Sequence, residues 1–324
     1  MINVRTDLAI EAKEDYSKVH EDEIDGVIVD KDTINDTKVT KVTIKNEDGA
    51  KKLGKPVGNY ITIDIPDYTV YDGEIMENVS EVVGKTMKAL VNMTQDKTAL
   101  VVGLGNWKVT PDALGPKVVE KIMVTRHLKD VMPEAIDDSI IPVCAISPGV
   151  LGITGIETGD VIKALVEKIK PDLVVCVDAL ASRRIDRVNK TIQISDTGIS
   201  PGAGVGNHRM KINEETLGVK VVAVGVPTVV DAATIANDSI DLVMDEFISK
   251  SEKGSEFYNM IKSIDKNEKE ILIKELLNPY VGDLMVTPKE VDLVIDSLSK
   301  IIANGINISL QPNLDMDDIN KFMN

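Results

Sequence analysis

Four short runs, at 98–104, 141–146, 172–178 and 220–226, are built almost without a break from Val, Ile, Leu, Ala and Cys. Stretches with helical patterning, such as 159–169, separate them. A strand that is apolar throughout must be covered on both faces. Runs of this kind alternating with helices belong to a parallel sheet held between two helical layers. Upstream, the pattern changes. Residues 27–29, 39–44 and 60–65 alternate apolar with polar side chains, the period of half-buried strands joined by polar turns. A helix is expected over 74–93, and the tail from Asp238 to Asn324 reads as helices with an exposed charged stretch near 250–270. The fold expected is therefore α/β, with three layers and a mostly parallel central sheet carrying helices on both faces. A small β-rich N-terminal subdomain at 22–70 and a mainly helical region at 238–324 complete it. Residues 1–20 read as a mobile arm or a short helix. No internal repeat or low-complexity linker divides the 324 residues.

Aromatic residues make up only 3% of the chain, so Val, Ile and Leu must fill the core that a 43% apolar content implies. The net charge of −16 argues against a broad grip on a nucleic-acid backbone. Cys144 and Cys176 lie in apolar runs and read as small buried residues of a reducing compartment, with no metal-type spacing. The first residues lack the apolar stretch of a signal peptide, and no uninterrupted apolar run approaches membrane-spanning length. A cytoplasmic location is expected.

Two aspartates stand out. Asp178 closes the Val-rich run 172–178, and Asp112 follows the run 98–104 in a loop; both precede Ala-Leu. Open α/β sheets place ligand crevices at such strand ends. A single aspartate there caps a helix or pairs with a cation more often than it catalyses, but two can share a proton. The charged member can then activate water while the protonated one donates to the carbonyl or the leaving nitrogen. Other signals are weaker. Gly103-Leu104-Gly105-Asn106 lacks the third glycine of a dinucleotide turn, where Lys108 stands, and reads as a tight turn bringing the Asp112 loop to the sheet. The Gly-rich loop 198–207 lacks a phosphate-loop ending and fits a flexible loop at an active site or a surface connection. Asp196-Thr197-Gly198 matches the aspartic-protease tripeptide by chance, since no second copy exists. His20, His127 and His208 are scattered; His127 reads as a cap, a core residue, a base or a ligand.

At these residues the chain resembles the germination protease family of spore-forming bacteria. The matching stretches include Arg5-Thr6-Asp7-Leu8-Ala9, Val101 through Pro116, Thr125-Arg126-His127-Leu128, Asp178-Ala179-Leu180-Ala181, Gln193 through Gly198, and Gly225 through Ala232, continuing to Leu284 through Asp292. They run in order over nearly the whole chain. The resemblance implies an atypical aspartic endopeptidase with Asp112 and Asp178 as its catalytic pair, no cofactor and no metal. It implies a fold similar to hydrogenase-maturation proteases and a homotetramer. It further implies a zymogen that removes its own propeptide, residues 1–7, by cutting between Asp7 and Leu8. The implied rule is cleavage after an acidic residue, before a hydrophobic one, with Ala next; Val4 departs from a further acidic preference. The implied substrates are small acid-soluble spore proteins, cut at germination in the spore core, with no direct nucleic-acid or membrane partner. Two other classes compete: a metal-dependent maturation-type endopeptidase using Asp112, Asp178 and His127, and a non-enzymatic ligand-binding module.

Overall fold

A computed structural model describes residues 6–19, 24–67, 69–131, 139–202, 209–281 and 284–323. In chain order the first half holds α1 (Ala9–Val19), β1 (Val27–Ile34), β2 (Thr37–Ile44), α2 (Glu47–Leu53), β3 (Gly58–Asp64), α3 (Gly73–Val91), β4 (Ala99–Gly103), α4 (Leu114–Val119), α5 (Arg126–Val131), β5 (Val143–Ile146), α6 (Leu151–Thr154) and α7 (Thr158–Ile169). There follow β6 (Leu173–Ser182), β7 (Thr191–Ser195), α8 (Glu214–Leu217), β8 (Lys220–Asp231), α9 (Ala232–Lys250), α10 (Glu256–Lys262), α11 (Lys266–Val281), β9 (Met285–Val286), α12 (Val291–Leu310) and α13 (Met316–Met323).

The strands form one mixed sheet in the order β1-β2-β3-β7-β8-β6-β4-β5, with β9 beside β8. The four apolar runs are its parallel half, β8-β6-β4-β5. The alternating strands β1, β2 and β3 are antiparallel, and β3 pairs antiparallel with β7, which pairs antiparallel with β8. One expectation needs correction: the sheet is mixed rather than mostly parallel, and the β-rich N-terminal stretch supplies its strands β1–β3. The reason is β7, a short buried strand that joins the two halves and that the sequence pattern did not separate from the loops around it.

Helices cover both faces. On one, α3 and α12 pack Val79, Val83, Met87, Ile295, Leu298, Ile302 and Ile306 against Val101, Val175, Val177, Val222 and Val224. Asp72 caps α3 by accepting from the backbone N–H groups of Glu74 and Ile75. On the other face, Ile162 and Val166 of α7 cover Leu100, Val102, Val174, Cys176 and Val221. Alternate residues of each parallel strand thus serve opposite layers. Among the described residues α12 is the one helix long and apolar enough to cross a membrane, but most of it is buried in this core.

The described chain from Thr6 onward is anchored. Leu8 and Ala9 are fully buried, and Glu11 of α1 accepts from the N–H groups of Arg183 (2.8 Å) and Arg184 (3.0 Å) and from the Thr6 hydroxyl. Of the two expectations for residues 1–20, the short helix is what forms over 9–19, and it is fixed to the end of β6. Burial pushes the Glu11 carboxyl up; Thr6, the two N–H groups and Arg187 pull it down.

Candidate active site

The sequence pattern ends a strand at Asp178, but β6 continues to Ser182. What ends there is a neighbour. The β4–β6 pairing stops at Gly103↔Val177, while β6 stays paired with β8 to its last residue. Asp178 is therefore the first β6 residue without a β4 partner, beside the crevice where the β4 chain leaves the sheet.

That chain returns at once with Asp112. The turn Thr110–Asp112 is closed by Asp112 N–H donating to the Val109 carbonyl (2.8 Å), and Asn106 N–H donates to the Asp112 carbonyl (3.0 Å). The approach is too close for side chains. Gly105 has φ +114°, and a Cβ there would lie 2.0 Å from the Asp112 carbonyl oxygen; one on Gly115 would lie 2.6 Å from that of Val177. Leu104 N–H donates to the same Val177 carbonyl (2.8 Å). The glycines of 103–106 thus act as the sequence suggests, packing the Asp112 loop backbone to backbone on β6.

Asp112 and Asp178 line one cavity of about 750 Å³. Burial pushes the Asp112 carboxyl up to about 6, against the pull of the Asn106 N–H and Arg209. Asp178 is raised well above the ordinary carboxylate range, first by burial, then by the charges of Asp112 and Asp7; the Ala179 N–H and Arg209 oppose this only in part. Burial is the first cause of both shifts, and at Asp178 the charges of Asp112 and Asp7 add to it.

Asp7 lines the same cavity. Its N–H donates to the Ala181 carbonyl (3.2 Å), and its carboxylate accepts from the Ala181 N–H (2.9 Å). Burial raises its pKa, with Ala181 and Lys55 opposing. Its carbonyl oxygen accepts from Lys55 Nζ (3.1 Å) and from Gln193 Nε2 (3.1 Å). The other end of the Gln193 amide, Oε1, accepts from the Ala9 N–H (2.7 Å). Leu8, between them, packs on Leu180, Ile10 and Ile199. The structure therefore places Asp7, Asp112 and Asp178 around one cavity.

Gln193, Lys55 and Arg209 are cavity residues that the sequence reading did not single out. Gln193 carried a signal, as a polar residue between Ile192 and Ile194 in a buried strand. In register, Asp178 and Gln193 both stand opposite Gly225 of β8. At the usual strand spacing their backbones are about 10 Å apart, and the Leu180 side chain takes the space a Cβ on Gly225 would need. Lys55 follows the left-handed cap of α2 at Gly54, and only the fold carries it to the N-terminal segment.

Other candidates fall elsewhere. Asp196 accepts from Asn59 N–H and Asn59 Nδ2 (2.7 Å each), a tie at the start of β3, as expected of a chance tripeptide. His127 sits exposed on α5 and does not line the cavity; His20 and His208 lie outside the described residues. Of the Gly-rich loop, Gly198, Ile199, Ser200 and Gly202 line the cavity, while residues 203–207 lie outside the described residues. Among the described residues no three His, Cys, Asp or Glu side chains gather as a metal ion would require.

The family model described as germination protease matches residues 3–256 and 244–323. The germination protease of Clostridium perfringens (strain SM101 / Type A) is 68% identical over 325 residues, covering 100% of both chains. That of Clostridium tetani (strain Massachusetts / E88) is 61% identical over 323 residues, again covering 100% of both. That of Bacillus cereus (strain G9842) is 42% identical over 356 residues, covering 99% of this chain and 97% of the relative.

Proposed function

Given that the chain belongs to the germination protease family, and is therefore a peptidase, we propose that it hydrolyses peptide bonds with the carboxyl pair Asp112 and Asp178 and without a metal. The observation that carries the reading is that Asp7, the acidic residue of the expected Asp7–Leu8 cut, lines the same cavity as these two carboxyls. Asp112, with a pKa near 6, is mostly charged at neutral pH and takes a proton from the attacking water. Asp178, more enclosed and facing two further carboxyls, holds its proton and delivers it as the C–N bond breaks. The proton gained by Asp112 and the one lost by Asp178 then exchange to restore the pair.

The proposal extends to the biology that the family resemblance implies. The chain is a zymogen whose residues 1–7 are its propeptide, removed by its own action between Asp7 and Leu8. Until then Asp7 occupies part of the cavity that substrates need. Its substrates are small acid-soluble spore proteins, its place is the forespore and spore core, and its assembly is a homotetramer on a sheet of the hydrogenase-maturation-protease kind. The charge of −16 gives no attraction to acidic cut sites, so selection rests on local contacts. The Ala181 N–H and Lys55 would receive the acidic side chain as they receive that of Asp7.

The experiment is to incubate the purified chain with a small acid-soluble spore protein, with and without chelator, and to sequence the fragments. Cuts after Glu or Asp that persist in chelator support the reading. Loss of cutting in chelator, restored by a divalent cation, replaces it with the metal-dependent endopeptidase. Absence of any cutting by the processed chain refutes both.

A further inference from the structure

The amide of Gln193 spans one peptide bond. Nε2 donates to the Asp7 carbonyl (3.1 Å) and Oε1 accepts from the Ala9 N–H (2.7 Å), so the Asp7–Leu8 bond lies between its two ends. The orientation of the amide follows from the partners, one a pure acceptor and the other a pure donor. Lys55 Nζ reaches the same carbonyl from another element (3.1 Å) and also holds the Thr6 carbonyl (2.9 Å). Two independent donors thus converge on one oxygen, that of the bond to be cut.

We infer that Lys55 and Gln193 form the carbonyl-binding pair of this protease: they hold the oxygen of the scissile carbonyl and stabilise the negative charge it gains when water adds. The inference rests on the reading of the Asp7–Leu8 bond as a substrate of the aspartate pair, and it adds the partition of roles which that reading leaves open. As the water oxygen bonds to the carbonyl carbon, the π electrons move to an oxygen already facing an ammonium and an amide N–H. That oxygen needs no proton from the carboxyl pair. The proton on Asp178 remains for the leaving nitrogen of Leu8, and collapse of the tetrahedral adduct gives the Asp7 carboxylic acid and the Leu8 amine.

Three further features fit. Donors about 3 Å from the oxygen are within the range of hydrogen-bonded oxyanion sites, and a fixed donor in an enclosed cavity acts more strongly than one in water. Gly225, in register between Asp178 and Gln193, leaves room for the Leu180 side chain on which Leu8 packs; a Cβ there would lie 2.5 Å from Leu180. Burial pulls the Lys55 pKa down, and the charges of Asp7 and Glu11 oppose that shift.

The test is self-cleavage of the full-length chain, followed by intact mass as residues 1–7 are lost. Lys55→Met and Gln193→Leu should each slow it by about 100-fold or more, the usual loss when one oxyanion donor is removed. Lys55→Arg, which keeps a cationic donor, should recover part of the rate. Hydrogen exchange at the Ala181 amide reports whether the segment remains docked, and it should stay protected in all three variants. The inference is overturned if Lys55→Met and Gln193→Leu both process within about threefold of the parent rate. It is also overturned if their losses come with loss of Ala181 protection, which would make the pair mere anchors of the segment. Asp178→Asn separates the two readings. Parental processing by that variant refutes the aspartate pair itself, whereas an inert Asp178→Asn beside unimpaired Lys55 and Gln193 variants refutes only the carbonyl-binding pair.

Discussion

Gly105→Ala tests how the fold delivers Asp112. A Cβ at this position would stand 2.0 Å from the Asp112 carbonyl oxygen, where ordinary contact begins at 3.4 Å, so the turn must retreat by about 1.4 Å. Retreat breaks the Asn106 N–H to Asp112 carbonyl bond, a net loss of about 0.5–1.5 kcal/mol. A φ of +114° adds about 1–3 kcal/mol of backbone strain for any residue with a Cβ. Together the substitution should destabilise the chain by about 2–4 kcal/mol, read as a lower urea midpoint at unchanged slope. The effect on cleavage should be larger than that fraction suggests, because a misplacement of about 1 Å at a reacting group can cost 100-fold in rate. Two assays follow: urea unfolding, and initial rates on an acidic-hydrophobic peptide under conditions where the variant is fully folded. Combining Gly105→Ala with Asp112→Asn should give little further loss, since both act through the same carboxyl. Full activity of folded Gly105→Ala would refute the argument that this approach places a working group. So would multiplicative losses in the double variant.

Asp112→Asn and Asp178→Asn should each abolish cleavage while leaving the fold intact, checked by circular dichroism and by peptide assay. The cleavage rate should rise with pH through a midpoint near 6, where Asp112 loses its proton. For stability the sign is the opposite. A carboxyl raised from 3.8 to about 6 in the folded state contributes stability that is present below about pH 4 and lost as pH rises through 6. Asp112→Asn should therefore unfold at higher urea than the parent at pH 7, and that advantage should disappear at pH 4. A chain beginning at Leu8 should cut added substrate without a lag; inertness equal to that of the full chain would show that residues 1–7 are not the brake.

The parts of this molecule that were legible in the sequence are those set by local pattern. The four apolar runs are the parallel strands because only burial on both faces tolerates such composition, and the period-two alternation upstream follows from a less covered face on β1 and β2, whereas β3 is buried along its middle on both faces. Asp112 and Asp178 could be singled out because each sits next to a run whose end is visible. Their meeting was legible only in part. It depends on β4 lying beside β6, a pairing that connects residues far apart in sequence. Strand β7 has five residues and lies among turns, so its role in joining the two halves of the sheet has no local signature. Lys55 is more hidden still. It is an ordinary lysine after a helix cap, and it becomes a site residue only because the N-terminal segment crosses over it. Glu11 stands in a polar stretch with no local sign of burial, yet it is buried and accepts from the N–H groups of Arg183 and Arg184.

Two enclosed carboxyls, both raised above the ordinary range, carry the mechanism. A titration of aspartate side chains carrying a carbon-13 carboxyl label reads this directly. One resonance should titrate near pH 6 and vanish in Asp112→Asn; another should titrate well above the ordinary carboxylate range and vanish in Asp178→Asn. If both groups instead lose their protons together near pH 4, they share neither an enclosure nor a proton, and the mechanism drawn from them is wrong.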